Sequence, residues 1–347
     1  MSDPAGLHLL LEALRAEARG AKLPADRLEP AAVEAALAIA ARNKILSRVA
    51  GAFSGANHDQ HFADQKLAVF GSNSIVIRET IRLCALLRRE EIGFAVVKGP
   101  FQQNAIYGDY FVRGALDIDL LVGRKDFLRT RAVLQADGYH LLSRSVWWWA
   151  FLGEQHLART GPSGTAVDLH WSLHQPGTPV SREAGRFITE ARHLRHNGID
   201  VPILSERHTA LLTVVSMAKA IYNREPAGAY LLDLFAMLKA GSPEAVGSFA
   251  DYARTAGLGG HAAIALRGLG DTFDIDISQS ANTLPGTSRD ELLGLIFTPE
   301  APGLRMVRRR TLVWEFCDRN IWLYALELGR MGAAQIALKM FERQPAM

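Results

Sequence analysis

The sequence predicts an α+β fold in which an α/β core with a small mixed β-sheet is flanked by large helical regions. Leu- and Ala-rich stretches with charged residues at helical spacing dominate both ends of the chain, and strand-type runs fall between them. These runs are few, so the expected sheet is small. We expect residues 1–92 to form a helical N-terminal region, 93–204 the α/β core and 205–347 a helical C-terminal domain.

Composition and charge are those of an ordinary globular protein. The 347 residues are 48% apolar and 22% charged, and the formal net charge of +3 does not indicate a nucleic-acid-binding protein. Cys84 and Cys317 lie far apart without zinc or disulfide spacing, so both are expected to be buried free thiols. The sequence shows neither a signal peptide nor an apolar run of about 20 residues. We therefore expect a cytoplasmic protein with no membrane partner.

The first elements follow from helical periodicity. It predicts helices at about 6–20, 30–50 and 62–92, and Gly93 is a plausible stop for the third. The apolar run 94–97 then predicts a short buried strand. Lys98-Gly99-Pro100 breaks that strand, and because proline is favoured at the first position of a helix, a helix is expected to Tyr107.

The rest of the core alternates between strand and helix patterns. Gly161-Pro162-Ser163-Gly164 is a strong turn signal between two of the predicted strands. The predicted elements are a loop at 108–116, a strand at 117–122, a helix at 124–137, a strand at 139–149 and a strand at 165–171. After the core we predict helices at 206–222, 227–240, 243–256, 260–270 and about 303–342, with loops and short helices at 273–300.

Two aspartates alternate with apolar residues in the run 117–122. Side chains two residues apart in a strand point to the same side, so Asp117 and Asp119 share one face. Two adjacent like charges are unfavourable unless a cation or a proton neutralises one of them. The pair therefore indicates a divalent-metal site.

A second alternating strand carries Asp168 and His170 on one face. If the two strands are neighbours, Asp117, Asp119 and Asp168 converge. Such a cluster suits Mg²⁺, a hard cation that binds a few carboxylates together with substrate phosphates. Two such ions can support an in-line phosphoryl displacement.

The Lys98-Gly99-Pro100 turn is a candidate phosphate site. A helix N-terminus attracts phosphate, Gly99 permits close approach to the backbone and Lys98 adds a charge. The turn matches neither the P-loop nor the dinucleotide-binding fingerprint. Arg113, four residues before Asp117, is expected either to clamp a phosphate oxygen or to pair with the aspartates.

The order and spacing of these motifs resemble the uncharacterised nucleotidyltransferase family of the polymerase-β-like nucleotidyltransferase superfamily. The resemblance covers about residues 65–240. It rests on Val96-Val97-Lys98-Gly99, Tyr107, Arg113, the run 117–122, Asp137-Gly138-Tyr139, Val167-Asp168-Leu169-His170-Trp171 and Leu231-Leu232-Asp233-Leu234.

The resemblance implies a minimal nucleotidyltransferase fold with a two-metal site for Mg²⁺, with Mn²⁺ as an alternative, and a nucleoside triphosphate (NTP) as substrate. Asp117, Asp119 and Asp168 correspond to the catalytic metal ligands, with Asp168 near the incoming hydroxyl as a base or second-metal ligand. Lys98-Gly99 replaces the Gly-Ser of many superfamily members, so phosphate contacts are expected to differ from those of the better-known polymerases.

Several features remain open at this stage. His170 and His156 are either substrate- or metal-orienting groups or structural histidines, and Trp147-Trp148-Trp149 is either core packing or a stacking platform. A basic C-terminal helical region carries Arg308-Arg309-Arg310, Lys339 and Arg343. We expect this region to be a solvent-exposed helix face, with a docking surface as the weaker alternative. The sequence lacks the interleaved basic and aromatic pattern of a nucleic-acid-binding groove.

The leading hypothesis is a metal-dependent enzyme that transfers a nucleoside monophosphate (NMP) from an NTP to a hydroxyl-bearing acceptor and releases pyrophosphate. One alternative is a non-catalytic relative that binds a nucleotide or a partner. Another is an NMP-transferase acting on a protein, a peptide or tRNA. The acceptor, the base preference and the oligomeric state are left open by the sequence.

Overall fold

The computed structural model describes residues 4–24, 28–53, 59–142, 153–160, 164–238, 242–277, 287–302, 304 and 307–342. In this part of the chain it contains seven β-strands and twelve α-helices. The strands are β1 (Phe94–Val96), β2 (Asp117–Val122), β3 (Tyr139–Leu141), β4 (Glu154–Arg159), β5 (Ala166–His170), β6 (Arg192–His196) and β7 (Ile199–Ile203). The helices are α1 (Pro4–Ala18), α2 (Pro30–Arg42), α3 (Asp59–Arg89), α4 (Gly99–Tyr107), α5 (Phe127–Ala136), α6 (Glu206–Asn223), α7 (Gly228–Met237), α8 (Pro243–Thr255), α9 (Gly259–Phe273), α10 (Arg289–Phe297), α11 (Arg309–Phe316) and α12 (Ile321–Glu342).

The chain forms two compact units, and each unit is built from two segments. Unit 1 comprises Met1–Val69 and Ala210–Asp318, and unit 2 comprises Phe70–Thr209 and Arg319–Met347. The predicted α+β class is confirmed, since helices and a mixed sheet are both present. The predicted division into three consecutive regions stays a prediction.

Unit 1 is helical, as the sequence pattern predicts, and its buried Leu, Ala, Ile and Phe side chains form one core.

The prediction of one long helix at 303–342 is wrong, because α11 ends at Phe316 and α12 begins at Ile321. Asp318 and Arg319 adopt left-handed backbone conformations, with φ of 52° and 56°, which interrupt the helix.

Unit 2 contains the sheet, whose strand order is β3-β4-β5-β2-β1-β7-β6. The sheet is mixed: β2 pairs with β5 and β1 with β7 in parallel, and the other pairs are antiparallel. Three of its seven described strands, β4, β6 and β7, were not predicted. The predicted strand at 139–149 is described as far as Leu141, and residues 143–152 lie outside the described residues.

Alternation gives the central strands one apolar and one polar face. Buried side chains of β2, β4 and β5 join the core of unit 2; they are Ile118, Leu120, Val122, Leu157, Val167 and Leu169. The residues between them point to the opposite side of the sheet. Asp117, Asp119, Glu154, His156, Asp168 and His170 therefore share the polar face.

A partly buried ion-pair network explains the Asp137-Gly138-Tyr139 motif. Arg82 of α3 donates to Asp137 Oδ1 at 2.9 Å and to both carboxylate oxygens of Glu79. The Tyr139 hydroxyl donates to Glu79 Oε1 at 2.6 Å. Burial and these contacts raise the pKa of Tyr139, so the phenol stays protonated as a donor. The motif thus ties α3 to the start of β3.

Asn73 of α3 fixes the loop that leads into β2. Its fully buried side-chain amide donates to the carbonyls of Tyr110 at 2.6 Å and Arg113 at 3.0 Å, and its oxygen accepts from the Ala115 N–H at 2.8 Å. One side chain therefore satisfies three backbone groups immediately before Asp117.

Replacing Asn73 with alanine is expected to lower the free energy of unfolding by about 2–4 kcal/mol, because it leaves buried backbone groups without partners. Urea unfolding followed by circular dichroism measures the effect. Ser74→Ala, at the next position of α3, is the control and is expected to shift stability by less than about 0.5 kcal/mol. Equal unfolding midpoints for the two variants would contradict the assigned role of Asn73.

Candidate active site

The pairing of β2 with β5 brings two predicted acidic residues together. The parallel register sets Asp119 opposite Asp168, and both side chains lie on the polar face. Ligand atoms of Asp119, Asp168 and His170 all lie within 4.8 Å of one another. Three side chains nominated from the sequence therefore form one cluster.

Asp117 shares the polar face but not this cluster. It pairs with Ala166, two residues before the Asp119–Asp168 pair, and its carboxylate is not among the three groups gathered within 4.8 Å. The predicted convergence of three carboxylates is thus realised for two of them, with His170 as the third member.

Asp119 is a buried carboxylate surrounded by positive and hydrogen-bonding groups. Lys98 Nζ lies 3.4 Å and His170 Nε2 lies 3.1 Å from Asp119 Oδ1. Burial alone raises the pKa of this carboxyl, but Lys98 and His170 outweigh burial and hold the pKa well below its usual range. Asp119 is therefore ionised and accepts both hydrogen bonds, so His170 carries its proton on Nε2.

The unpredicted strand β4 adds two residues to the site. Its antiparallel register with β5 sets Glu154 opposite His170 and His156 opposite Asp168. His156 Nδ1 lies 2.6 Å from Asp168 Oδ1, and Glu154 Oε2 lies 3.5 Å from His170 Nδ1. Each of the two β5 site residues therefore contacts a β4 side chain. Glu154 was not predicted as a site residue. Its position two residues before His156, which places both side chains on one face of a strand, is the sequence pattern that could have indicated it.

The turn at Lys98-Gly99 begins α4 beside Asp119. Gly99 has φ of 77°, a conformation that favours glycine, and a Cβ built there would meet no atom within 4 Å. The Val97 N–H donates to the Asp119 carbonyl at 3.2 Å, which fixes the turn against β2. Open space beside a helix N-terminus is favourable for a phosphate.

The backbone of Arg113 is fixed on both sides. Its N–H donates to Gln103 Oε1 at 3.0 Å, and its carbonyl accepts from Gln103 Nε2 at 2.9 Å. Gln103 belongs to α4, so the same short helix begins at the Lys98-Gly99 turn and holds the Arg113 loop. Whether the guanidinium contacts phosphate stays a prediction.

The donor set of the cluster suits a divalent cation. Two carboxylates and one imidazole converge where Lys98 and the His170 N–H already compensate negative charge. Carboxylate oxygens suit Mg²⁺ and Mn²⁺. Asp119 and Asp168 would be the ligands, and the His170 Nε2–H would be a hydrogen-bond donor beside them.

Other nominated features are not members of this cluster or lie outside the described residues. Trp147-Trp148-Trp149 and Arg343 lie outside the described residues. Arg308-Arg309-Arg310 is exposed, and the Arg309 guanidinium lies over the Tyr222 ring, 5.2 Å from its centroid. Both cysteines are buried free thiols, as predicted, and burial raises the pKa of Cys84 to about 12. Among the described residues, no helix has the length and apolarity needed to span a bilayer.

Comparisons with known proteins give a family match and several structural matches, one of which is described below. Residues 29–274 match the family described as uncharacterised nucleotidyltransferase. A crystal structure of an antigenic nucleotidyltransferase-like protein from Paracoccidioides brasiliensis matches at 18% identity with a TM-score of 0.34, over 58% of this chain and 94% of that chain. No curated protein matches the chain. The family match confirms the resemblance and extends it beyond residues 65–240.

Replacing Lys98 with methionine is expected to raise the proton affinity of the Asp119 carboxylate by about tenfold or more, because the nearest cation is lost. Carbon NMR of labelled aspartate in chelator-treated protein measures the titration. Lys125→Met, an exposed lysine three residues after β2, is the control. An unchanged Asp119 titration in Lys98→Met would show that Lys98 does not compensate this charge.

Because its folded-state pKa lies below the ordinary carboxyl value, Asp119 contributes stability at pH values above that ordinary value. This contribution is lost as the pH falls towards the folded-state pKa. The stability difference between wild type and Asp119→Asn is therefore expected to narrow on acidification, as measured by urea unfolding at a series of pH values. A difference that widens towards low pH would contradict the direction of the shift.

Proposed function

Since the chain belongs to the uncharacterised nucleotidyltransferase family, we propose that it transfers a nucleoside monophosphate from an NTP to a hydroxyl-bearing acceptor and releases pyrophosphate. The observation that carries this proposal is the Asp119–Asp168 pair on one face of two parallel strands, with Lys98 3.4 Å from Asp119. Family membership implies the NTP, and the charges at the site support the proposed position of its phosphates.

The Lys98-Gly99 turn is the proposed phosphate-binding element. Lys98 supplies a positive charge, and the first N–H groups of α4 supply donors beside the open space at Gly99. Arg113, fixed through its backbone by Gln103, is the proposed second phosphate contact. These groups orient the triphosphate and stabilise the charge that develops on the leaving pyrophosphate.

Asp119 and Asp168 are the proposed central ligands for Mg²⁺, or alternatively Mn²⁺, and Asp117, on the same strand face but outside the cluster, is the proposed third carboxylate ligand. When bound, the cation supplies charge neutralisation and Lewis-acid polarisation of phosphate oxygens. The two carboxylates in the cluster and the adjacent His170 fit this group. In the free protein Lys98 and His170 compensate the charge of Asp119, so cation binding is expected to weaken both contacts.

The transfer step is a single displacement at phosphorus. The acceptor oxygen forms a bond to the α-phosphorus, and the bond from that phosphorus to the oxygen of the β-phosphate breaks. Asp168 is the proposed base that takes the acceptor proton, and pyrophosphate carries away the electron pair of the broken bond. His156, 2.6 Å from Asp168, is the proposed positioning residue for that carboxylate.

The acceptor class distinguishes the remaining alternatives. A small molecule, a protein or peptide, and tRNA all offer a hydroxyl. Two carboxylates, a lysine and an open phosphate turn are present together, and this favours turnover over simple nucleotide binding. The cytoplasmic location stays a prediction.

The Asp117→Asn/Asp119→Asn double variant is expected to lower NMP transfer at least about 100-fold, because it removes the carboxylates proposed to hold the cation. The assay supplies Mg²⁺ and each NTP labelled at the α-phosphate, with cell lysate as the acceptor source, and follows labelled products and pyrophosphate. Asp251→Asn, which makes the same kind of substitution at an exposed aspartate of α8, is the control. Equal transfer by wild type and the double variant would refute the proposed reaction.

His156→Ala is expected to lower kcat by about 10- to 100-fold with little change in KM for the NTP, because it releases the Asp168 carboxylate. His156→Gln retains a hydrogen-bond donor and is expected to recover much of this loss. Steady-state kinetics of both variants test the role. If alanine and glutamine reduce kcat equally, His156 does not act by donating to Asp168.

A further inference from the structure

A second cluster of metal-ligand type lies elsewhere in unit 2. Glu183 and Glu190 flank the short 3₁₀ helix Ala184–Arg186, and His208 lies in the first turn of α6. Ligand atoms of these three residues lie within 4.8 Å of one another. His208 Nε2 is 3.6 Å from Glu183 Oε2 and 3.6 Å from Glu190 Oε2.

His208 is the second observation that points to a ligand here. Its side chain is 0% exposed, and neither ring nitrogen has a hydrogen-bond partner among the described residues. The Phe187 ring packs against the imidazole with centroids 4.9 Å apart, and Nε2 faces both carboxylates. Buried polar groups nearly always have a partner. The His208 imidazole is therefore expected to have a further partner, bound between Nε2 and the two carboxylates.

Two of the three ligand–ligand separations are close to those of a coordination shell. Two ligand atoms on a tetrahedral ion lie about 3.4 Å apart when each metal–ligand bond is about 2.1 Å. The separations from His208 Nε2 to the two carboxylate oxygens are 3.6 Å, close to that value and too long for hydrogen bonds.

We propose that Glu183, Glu190 and His208 form a site for a borderline divalent transition-metal ion of the Zn²⁺ class, separate from the nucleotidyl-transfer cluster. One imidazole nitrogen with two carboxylate oxygens suits Zn²⁺ and its neighbours, whereas Mg²⁺ prefers oxygen ligands in an octahedral shell. Three protein ligands leave one tetrahedral position for water. The Glu183 and Glu190 side chains are 17% and 33% exposed, so an ion can enter from solvent.

Two arginines compete for the same carboxylates. Arg207 pairs with Glu190 Oε2, and Arg186 Nη1 lies 3.6 Å from Glu183 Oε2. Both guanidinium side chains are more than half exposed, at 52% and 61%, so these pairs are weak and reversible. A divalent ion that also binds the His208 nitrogen is the stronger partner for these carboxylates.

The proposed ion would join the segment that includes Glu183 and Glu190 to the first turn of α6. This segment connects β5 to β6, so the ion would hold the connection against the first turn of α6. The site is independent of the proposed transfer reaction, because none of its residues belongs to the Asp119 cluster.

Co²⁺ titration of untagged, chelator-treated full-length protein tests the site, since Co²⁺ absorption reports nitrogen and oxygen ligation. The background variant is Asp119→Asn/Asp168→Asn, which removes the other cluster. Equilibrium dialysis is expected to find one bound Co²⁺ per chain in this background. Adding Glu190→Gln is expected to weaken binding by about 100-fold or more, because a carboxylate that coordinates the ion is lost.

Glu206→Gln is the matched control, because it removes the same charge from an exposed position two residues before His208. It is expected to bind Co²⁺ as tightly as the background, and circular dichroism confirms that each variant is folded. The proposal is overturned if the folded background binds no Co²⁺, or if Glu190→Gln and Glu206→Gln bind it equally.

Discussion

The ionised carboxylate of Asp119 in the middle of a buried strand is the constraint on which the rest of the site depends. Charge in such a position is costly unless neighbouring groups compensate it. Lys98 from the turn after β1 and His170 from β5 provide the compensation, at 3.4 and 3.1 Å from the same oxygen. Three elements separated in sequence are therefore held around one atom.

The sheet supplies this arrangement through strand register. A parallel β2–β5 pair sets Asp119 opposite Asp168, and an antiparallel β4–β5 pair sets His156 and Glu154 beside them. The apolar partners of these residues fill the core on the other face, so a shift of one residue would bury the acids and expose the core. Core packing and site assembly thus specify the same register.

Sequence patterns predicted the elements whose local pattern of residues favours the same secondary structure that the fold gives them. The strand 117–122 and the helix that follows Lys98 were found because alternation and a proline near the helix start are local signals. β4, β6 and β7 were missed for physical reasons. β4 carries Glu154 and His156 for the site, β6 is a charged edge strand, and β7 contains Pro202.

The break between α11 and α12 could not be predicted from the sequence, because no glycine or proline marks it. It depends on the left-handed backbone conformations of Asp318 and Arg319. The sequence predicted most residues of the candidate site, but it did not predict which of them contact one another. Asp119, Asp168, His170 and Lys98 were all nominated from the sequence, whereas the pairing of His156 with Asp168 required the register of an unpredicted strand.

We propose that the Asp119–Asp168 pair binds the cation and that the Lys98-Gly99 turn binds the phosphates of an NTP. Anomalous diffraction from crystals soaked with Mn²⁺ and a non-hydrolysable NTP analogue tests both assignments. We expect Mn²⁺ bound by Asp119 and Asp168, with triphosphate density beside Lys98 and the first turn of α4. Mn²⁺ and triphosphate bound away from these carboxylates and this turn would contradict both assignments.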